Sequence, residues 1–491
     1  MRTPLRSLTR DTFIYGLGQT VGRVVTRVGL VPVFTRVFVT AQFGALELVT
    51  TLSAALQVLF ISGLDTALNR YVYEQETPED RRRLVSTALA WRLGLSLLLC
   101  VPAALAARGL AARLYGDTTL QPYLRVALLS VPCTLTVMFV SDYLRMSFRP
   151  WAYLGFTVLN SLGYALLAVY LVALRRHGVS GALGAQLAAD LVFALIGLAL
   201  VRGSLTLRLS GAKLRELLQV GLPIVPMALS YWVIQYADRN FLVRFRGYHE
   251  VGVYGAAAKV ALFMTFATQA FTLAWGPFGF AQAREEGGRR LFARVLGLYV
   301  WVGAALAVLL SMFAREILGL GTTRAYAWGH PVASLLVFAS LLNGTYYIFA
   351  VGITMAKRTA LLAVVLVSTA ALTLFLDFSW ARPFGMYGVG SATLTGYTAT
   401  TVLLAWVSQR QFPCPYPFAR AALLLLFAAA VAAVGVHLPA WSLGARLAAK
   451  AGLWGAYLAG SLLFGLVSWD ELRSAGARVA AQLRPAGPAG A

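Results

Sequence analysis

Two arginines, Arg23 and Arg27, stand one helical turn apart inside the first long apolar segment of the chain. An arginine at the centre of a bilayer costs ~2.5–3.5 kcal/mol on insertion scales, so two on one helix face are tolerated only where that face meets water or a charged partner. A guanidinium group can bind phosphate through two parallel hydrogen bonds. The pair therefore predicts an anion-binding wall inside a membrane protein. The alternative is that both arginines pair with acids or helix-end carbonyl groups inside the bundle.

Polar residues on other segments are candidates for the same wall. Lys259 lies about two helical turns into a later apolar segment and is predicted on the same half of the membrane as Arg27, unless its ammonium group extends outward to the surface. Arg92 is a further candidate, although it is close enough to a segment end to reach the interface. Gln19 lies on the same polar stripe as Arg23 and Arg27 and is a further candidate for the wall. Tyr231 and Gln235 carry a hydroxyl and an amide suited to sugars, and ordinary hydrogen bonds between helices are the alternative for each.

Carboxylates are scarce in the apolar segments, so each one needs an explanation. Asp190 falls near the middle of its segment, and we interpret it either as neutralised by one of the arginines or as a protonated group that couples transport to a proton or a cation. Glu47 and Asp142 lie near segment ends and are predicted to be solvated. The adjacent Asp238 and Arg239 are predicted to form a structural ion pair.

Other kinds of site lack a sequence signal. The 4 histidines and 3 cysteines are dispersed without metal-ligand spacing, and there is no glycine-rich phosphate loop. No loop carries the paired carboxylates that a membrane glycosyltransferase or polymerase would need. We therefore predict neither a metal nor a cofactor and expect a protein that is not an enzyme.

The elements that must position these residues are membrane-spanning helices. The chain has 491 residues, of which 59% are hydrophobic, and its apolar runs are long enough to cross about 30 Å of hydrocarbon. The predicted fold class is an all-α polytopic membrane protein. About fourteen spans are predicted, at 12–34, 44–64, 86–107, 121–144, 151–174, 179–201, 217–241, 251–275, 291–313, 331–352, 359–378, 386–408, 419–438 and 443–467.

The basic residues indicate the topology. The net charge of +23 is spread between the apolar runs and not gathered in a basic domain, so no nucleic-acid partner is expected. An even number of spans puts both termini on one side, and the loops of that side hold about twice as many Lys and Arg as the opposite loops. The positive-inside rule then places both termini in the cytoplasm.

Two glycine-marked motifs recur at nearly one spacing. Phe43-Gly44-Ala45-Leu46 matches Val251-Gly252-Val253-Tyr254 at an offset of 208, and the segment 177–181 matches 384–388 at an offset of 207. Six predicted spans separate the copies, so they point the same way through the membrane as parallel repeats. The alternative is that both pairs reuse a common glycine turn.

The repeat predicts the domain organisation. Two six-helix lobes and two additional C-terminal helices are followed by a tail rich in Ala, Gly and Pro, which is predicted to be cytoplasmic. The predicted bounds are 1–205, 206–410, 411–470 and 471–491.

The order of several short motifs resembles a known family. Gly221-Leu222-Pro223-Ile224-Val225-Pro226, Asp238-Arg239, Val251–Tyr254 and Ala274-Trp275-Gly276-Pro277-Phe278 resemble the seventh and eighth spans of Wzx-type polysaccharide flippases. The Phe43-Gly44 turn, the run from Gly63 to Tyr71 and the turn Phe384–Gly390 resemble other conserved turns of that family. Over roughly residues 10–410 the chain is similar to the multidrug/oligosaccharidyl-lipid/polysaccharide (MOP) exporter superfamily.

The resemblance implies two six-helix lobes in a V shape and a cationic central cavity. It also implies that a lipid-linked oligosaccharide moves across the cytoplasmic (inner) membrane by alternating access, for surface polysaccharide biosynthesis. Membrane lipids, a polysaccharide polymerase and a chain-length regulator are then the expected partners. A multidrug antiporter and a lipid II-type precursor flippase of the same superfamily are alternatives, and a membrane glycan polymerase is a third. Sugar-specific residues follow no shared motif in this family, so none is assigned.

Overall fold

The computed structural model describes residues 14–16, 18, 20–22, 24–283, 285, 287–439 and 442–465. All regular structure in this part of the chain is helical, which confirms the predicted all-α class. Its α-helices, numbered in chain order, are α1 (Val31–Val37), α2 (Thr40–Ile61), α3 (Leu64–Glu74), α4 (Pro78–Leu105), α5 (Ala107–Tyr115), α6 (Gln121–Met146), α7 (Pro150–Val169), α8 (Gly178–Val201), α9 (Gly211–Gly221), α10 (Val225–Tyr236), α11 (Asp238–Arg246), α12 (Tyr248–Gln282), α13 (Gly288–Met312), α14 (Ala314–Gly321), α15 (His330–Met355), α16 (Ala360–Gln411), α17 (Phe418–Val436) and α18 (Leu443–Ser461).

Shorter helical turns extend or join several of these helices. Two are π-helical, a conformation that occurs mostly as single turns and often at functional sites. The π-helical turns are Val24–Gly29 and Tyr170–Leu174, and the 3-10 turns are Thr118–Leu120, Arg202–Ser204, Leu222–Ile224, Arg324–Gly329 and Leu462–Phe464.

Twelve helices in the described residues are long and apolar enough to cross a membrane. The longest, α16, contains two of the predicted spans, because Gly385 interrupts it with a φ of 57° and a ψ of −136°. The first predicted span, 12–34, begins outside the described residues. The polytopic helical fold is therefore confirmed, and the total of fourteen spans stays a prediction.

The described residues group into two compact units. The first lies within Met1–Lys259, Glu316–Val332 and Ala360–Thr400, and the second lies within Val260–Arg315, Ala333–Thr359 and Thr401–Ala491. The lobe boundaries at residues 205 and 410 stay predictions.

Each unit has a central helix. In the first unit, α6 packs against α4 and α8, and its side chains Val131, Leu135 and Val140 are fully buried. In the second unit, α13 packs against α17 and α18. There the Trp301 indole donates a hydrogen bond to the Ser461 hydroxyl at 2.9 Å. Such bonds, together with close packing, hold helices together in lipid, where apolar burial gives little driving force.

The second pair of repeated motifs has a glycine with positive φ at the same place in both copies. Gly178 has a φ of 60° and Gly385 a φ of 57°, and a helix follows each of them. A Cβ at Gly181 would lie 2.9 Å from the His177 Cβ, and one at Gly388 would lie 3.0 Å from the Phe384 Cβ. In each copy the first glycine has a positive φ, and the second glycine, three residues later, has no room for a side chain. Both requirements favour glycine, which explains why it stands at both places in both copies.

Candidate functional site

The N-terminal ends of α2 and α12 touch without intervening side chains. A Cβ on Gly44 would overlap the Tyr248 carbonyl oxygen and lie 2.9 Å from the Gly252 nitrogen. A Cβ on Gly252 would overlap the Thr40 carbonyl oxygen and lie 3.1 Å from the Gly44 nitrogen. Gly44 and Gly252 are separated by the repeat offset of 208, and so are Thr40 and Tyr248. The two helices therefore contact each other through equivalent surfaces. We call these four residues the glycine contact.

Aromatic and polar groups surround the glycine contact. The Thr40 hydroxyl forms a short hydrogen bond with His249 Nδ1. The His249 ring stacks on Trp328, with ring centres 5.9 Å apart. The Tyr326 hydroxyl donates to the Phe38 carbonyl oxygen at 3.1 Å. The 3-10 turn that carries Trp328 and Tyr326 is thereby fixed to the same ends of α2 and α12.

Glu47 forms an ionic bridge one turn further along α2. Its Oε1 accepts a bond from Lys259 Nζ at 2.6 Å, and its Oε2 lies 3.9 Å from Arg239 Nε. A Cβ on Gly255 would lie only 2.7 Å from the Glu47 Cγ, so glycine provides the space for the glutamate. The predicted solvation of Glu47 is wrong, since its side chain is 12% exposed. The close approach of α2 and α12 encloses it.

Asp238 and Arg239 form the predicted ion pair, which is confirmed. Arg239 Nη1 donates to Asp238 Oδ1 at 2.8 Å, and both side chains are buried. The Tyr254 hydroxyl donates a short hydrogen bond to the other oxygen of Asp238. The guanidinium carbon of Arg239 lies 5.2 Å and 5.3 Å from the ring centres of Tyr236 and Tyr254, a cation–π arrangement.

A third carboxyl group adjoins this pair. Asp377 on α16 is 0% exposed, and the charges of Asp238 and Arg239 act on it. Glu47, Lys259, Asp238, Arg239 and Asp377 together form what we call the charge cluster. Its members come from α2, α11, α12 and α16, all within the first compact unit.

The predicted anion-binding wall is only partly covered by the structure. Arg23 and Gln19 lie outside the described residues, and so does the side chain of Arg27, whose backbone belongs to the π-helical turn Val24–Gly29. Lys259 is paired with Glu47, and its side chain keeps 23% exposure. The wall therefore stays a prediction.

The remaining candidates for sugar contacts share one helix. Tyr231 and Gln235 are half-buried and lie one turn apart on α10. The Gln235 carbonyl oxygen accepts a hydrogen bond from Arg239 Nη1 at 3.1 Å, which places this turn of α10 beside the charge cluster.

Arg92 is buried, so it does not take up the interfacial position that was the alternative for it, and its place in the anion-binding wall stays a prediction. It is 1% exposed, pairs through Nη2 with Asp65 at the start of α3, and lies 5.3 Å from the ring centre of Phe139. The sequence suggested an interfacial residue because Arg92 is near a segment end, but α3 returns beside α4 and encloses it.

Asp65→Asn is expected to lower the free energy of unfolding by about 3–5 kcal/mol, because it removes the carboxylate that pairs directly with the buried Arg92. Unfolding of the purified protein in detergent measures the effect. Glu74→Gln is the matched control, since its pair with Arg70 is 52% and 65% exposed and should contribute about 1 kcal/mol or less. Equal destabilisation by the two substitutions would contradict a structural role for the Arg92–Asp65 pair.

Asp190 is buried among uncharged partners. Its Oδ2 accepts a bond from the Thr134 hydroxyl at 2.6 Å and its Oδ1 from the Asn160 amide at 3.4 Å. Among the described residues no arginine pairs with it, and its role in coupling stays a prediction.

Most residues of the glycine contact and the charge cluster lie in a region that matches a known protein family. The family described as polysaccharide biosynthesis protein matches residues 8–277. The chain belongs to this family. The matched region includes Arg23, Arg27, both sides of the glycine contact and four of the five cluster residues. A search of curated proteins gives no match.

Solved structures share the fold. The lipid II flippase MurJ, in an inward closed conformation, matches with a TM-score of 0.72 at 12% identity, covering 92% of this chain and 99% of that one. An inward-facing multidrug resistance MATE family transporter of the MOP superfamily gives 0.61 at 16% identity, covering 81% and 98%. A MOP superfamily transporter from Pyrococcus furiosus gives 0.60 at 17% identity, covering 82% and 95%. At these identities the likeness shows the fold alone.

Family and fold together define the class of the protein. It is a multi-pass membrane protein of the polysaccharide biosynthesis protein family, and the solved structures that share its fold include a lipid II flippase and a MATE family transporter. Glu47 was predicted to be solvated, and Asp377 was not singled out from the sequence. Asp377 is an isolated carboxylate inside an apolar run, the same signal that singled out Asp190.

Proposed function

We propose that this protein moves an isoprenoid-diphosphate-linked oligosaccharide from the inner to the outer leaflet of the cytoplasmic membrane for surface polysaccharide biosynthesis. The observation that carries the proposal is the family match over residues 8–277, the stretch that contains the candidate phosphate ligands Arg23, Arg27 and Lys259. Both termini lie in the cytoplasm in this proposal, so that the N-terminal ends of α2 and α12 face outward.

The glycine contact closes the outward end of the path between α2 and α12 in this proposal. Neither helix has side chains there that would hold the two backbones apart. A symmetric contact between equivalent helices of two repeats is well suited to alternating access, because the two halves can separate there without breaking a covalent connection.

Glu47 acts as the resident counter-anion of Lys259. A diphosphate carries more negative charge than a carboxylate and can accept bonds from several donors, so it displaces Glu47 from Lys259 while Arg23 and Arg27 bind its other oxygens. Glu47 then keeps Arg239, 3.9 Å away, as its partner. Substrate binding thus removes the contact between Glu47 and Lys259 beside the glycine contact.

The membrane potential favours the outward step. With the interior negative, each negative charge moved outward gains ~2.3 kcal/mol per 100 mV. The isoprenoid chain stays in the lipid while the charged and sugar groups pass, so only the polar part of the substrate needs a protein path.

Reconstitution tests the proposal. The purified protein in liposomes is given a fluorescent isoprenyl-diphosphate oligosaccharide, and the fraction accessible from outside is followed over time. We expect translocation in minutes that empty liposomes lack. Parallel arms with lipid II and with a cationic drug distinguish the alternatives. Movement of the drug alone, or of lipid II alone, would contradict the proposed substrate class.

A further inference from the structure

The C-terminal end of α2 makes a second close contact between backbones. Ser62 and Gly63, which join α2 to α3, have positive φ angles of 53° and 67°. A Cβ on Gly63 would overlap the Gly221 carbonyl oxygen, and a Cβ on Gly221 would lie 2.5 Å from the Ser62 carbonyl oxygen. Gly221 ends α9, the first helix after the predicted repeat boundary at residue 205. We call Ser62, Gly63 and Gly221 the inner contact.

The glycine contact and the inner contact lie at opposite ends of α2. Gly44 and Gly63 are 19 residues apart, which at the helical rise of 1.5 Å per residue is about 28 Å. This length is close to the ~30 Å of hydrocarbon in a bilayer, so one contact lies near each surface of the membrane. In the proposed topology the inner contact is on the cytoplasmic side. The helix α2 is therefore joined to elements of the second repeat at both surfaces.

Side chains of α9 fasten it to the first repeat beside the inner contact. Lys213 Nζ lies 3.1 Å from Asp80 Oδ1 and donates to Gln75 Oε1 at 2.5 Å, and the lysine side chain is only 17% exposed. One turn further on, Leu217 is 0% exposed and packs in an apolar cluster with side chains of α3. These side chains are Leu64, Leu68 and Val72.

The linker between α8 and α9 is bonded to α4 at two places. The backbone N–H of Thr206 donates to the Ser86 hydroxyl at 2.8 Å, and the backbone N–H of Ser210 donates to the Thr87 hydroxyl at 3.1 Å. The linker therefore provides no slack that would let α9 move away from α4. In agreement with this, the first compact unit does not end at residue 205 but continues to Lys259 and includes all of α9.

The two contacts differ in the groups that hold them. Beside the glycine contact, Lys259 is bonded to Glu47, and the diphosphate of the proposed substrate displaces Glu47 from it. The inner contact is held by the pair of Lys213 with Asp80, by the two backbone hydrogen bonds of the linker and by the buried Leu217. The proposed binding step changes none of these interactions.

We propose that the inner contact is a hinge, which stays joined throughout the transport cycle while the glycine contact at the other end of α2 opens and closes. The helix α9 then moves with the first repeat, although the sequence repeat assigns it to the second. Substrate entering from the inner leaflet passes on another side of the protein and not between α3 and α9. This inference rests on the proposed flippase function, because it is transport that requires the glycine contact to open.

Thiol cross-linking of the full-length protein in liposomes tests the hinge. After the three native cysteines are replaced by alanine, one variant carries Gln75→Cys with Lys213→Cys at the inner contact. The matched variant carries Thr40→Cys with His249→Cys at the glycine contact. The side chains of each pair are hydrogen-bonded to each other, so a short bifunctional thiol reagent can join either pair. Each variant is compared with the same variant blocked by a monofunctional thiol reagent, and mass spectrometry verifies the cross-links.

We expect the cross-linked inner pair to translocate the fluorescent oligosaccharide at the rate of its blocked form, and the cross-linked outer pair to lose translocation. Loss of translocation on cross-linking Gln75→Cys to Lys213→Cys would overturn the proposal, because the inner contact would then have to open. An unchanged rate on cross-linking Thr40→Cys to His249→Cys would also overturn it, because the glycine contact would then not open.

A distance measurement separates failure of the hinge from failure of the proposed function. Spin labels on Glu76→Cys and Ala212→Cys, at exposed positions on the two sides of the inner contact, report their separation by electron paramagnetic resonance. We expect one distance with and without the oligosaccharide, and a second distance would overturn the hinge. If the wild type moves no oligosaccharide, the proposed function fails. If only the blocked cysteine variants are inactive, the spin-label distances decide the question.

Discussion

Gly252→Ala is expected to reduce export roughly 5- to 150-fold. The new methyl group would overlap the Thr40 carbonyl oxygen, which is backbone and cannot move aside without shifting α2. Overpacking of this kind costs about 1–3 kcal/mol, and a closed state destabilised by that amount is depopulated by the stated factor. Gly44→Ala should have an effect of similar size, since its methyl group would overlap the Tyr248 carbonyl oxygen in the same way. The rate of oligosaccharide translocation in liposomes measures both.

A glycine on the same helix supplies the control. A Cβ on Gly276, also in α12, would meet no atom within 4 Å, so Gly276→Ala should leave the translocation rate unchanged. It should also stabilise the helix slightly, because alanine favours helix by about 1 kcal/mol over glycine. Full activity in Gly252→Ala would show that the joined state of α2 and α12 is not part of the transport cycle.

Replacing Arg23 and Arg27 together by glutamine is expected to abolish export. Each guanidinium that loses its contact with a buried phosphate costs about 2 kcal/mol or more, which is roughly 30-fold in affinity per arginine. Arg23→Lys should retain partial export, because the ammonium group keeps the charge but cannot form the paired hydrogen bonds of a guanidinium. Complementation of a strain that lacks a polysaccharide flippase measures export, and the amount of protein in the membrane fraction measures insertion.

The experiment needs a charge control outside the proposed site. Arg125 on α6 is exposed, so Arg125→Gln should export normally while removing the same charge. If the double glutamine variant inserts and exports as the wild type does, the assignment of the diphosphate site to these two arginines is wrong.

The helical framework follows from local features that the sequence displays. An apolar run sets the length of a helix, and α6 accordingly begins at residue 121, where the predicted span begins. Left-handed glycines set the turns, as Gly178 and Gly385 show. The repeat offset predicted which residues are equivalent. The offset did not predict that Gly44 and Gly252 are in contact, because a separation in sequence gives no information on the distance between two helices.

The pairing of charges was harder to predict. Glu47 was expected in water, and Arg92 was expected either in the anion-binding wall or at the interface, because the sequence indicates exposure only through the position of a residue within its span. Both are enclosed by helices distant in the sequence: Glu47 meets Lys259 on α12, and Arg92 meets Asp65 on α3. Asp238 and Arg239 were predicted correctly because they are adjacent, so their pairing needs no knowledge of packing.

The glycine contact has the geometry of an isologous interface contained within one polypeptide. In a homodimer each subunit presents one patch to its own copy, and here residues 40 and 44 meet residues 248 and 252 in the same reciprocal way. The symmetry ends one turn further on. Glu47 stands opposite Gly255, its own counterpart, and Lys259 stands where the earlier copy has Thr51. Two identical subunits could form the same backbone contact. Each subunit would then place a glutamate beside it, and neither would place a lysine there. Within one chain the two equivalent helices can carry different residues, so one acid stands against one base there.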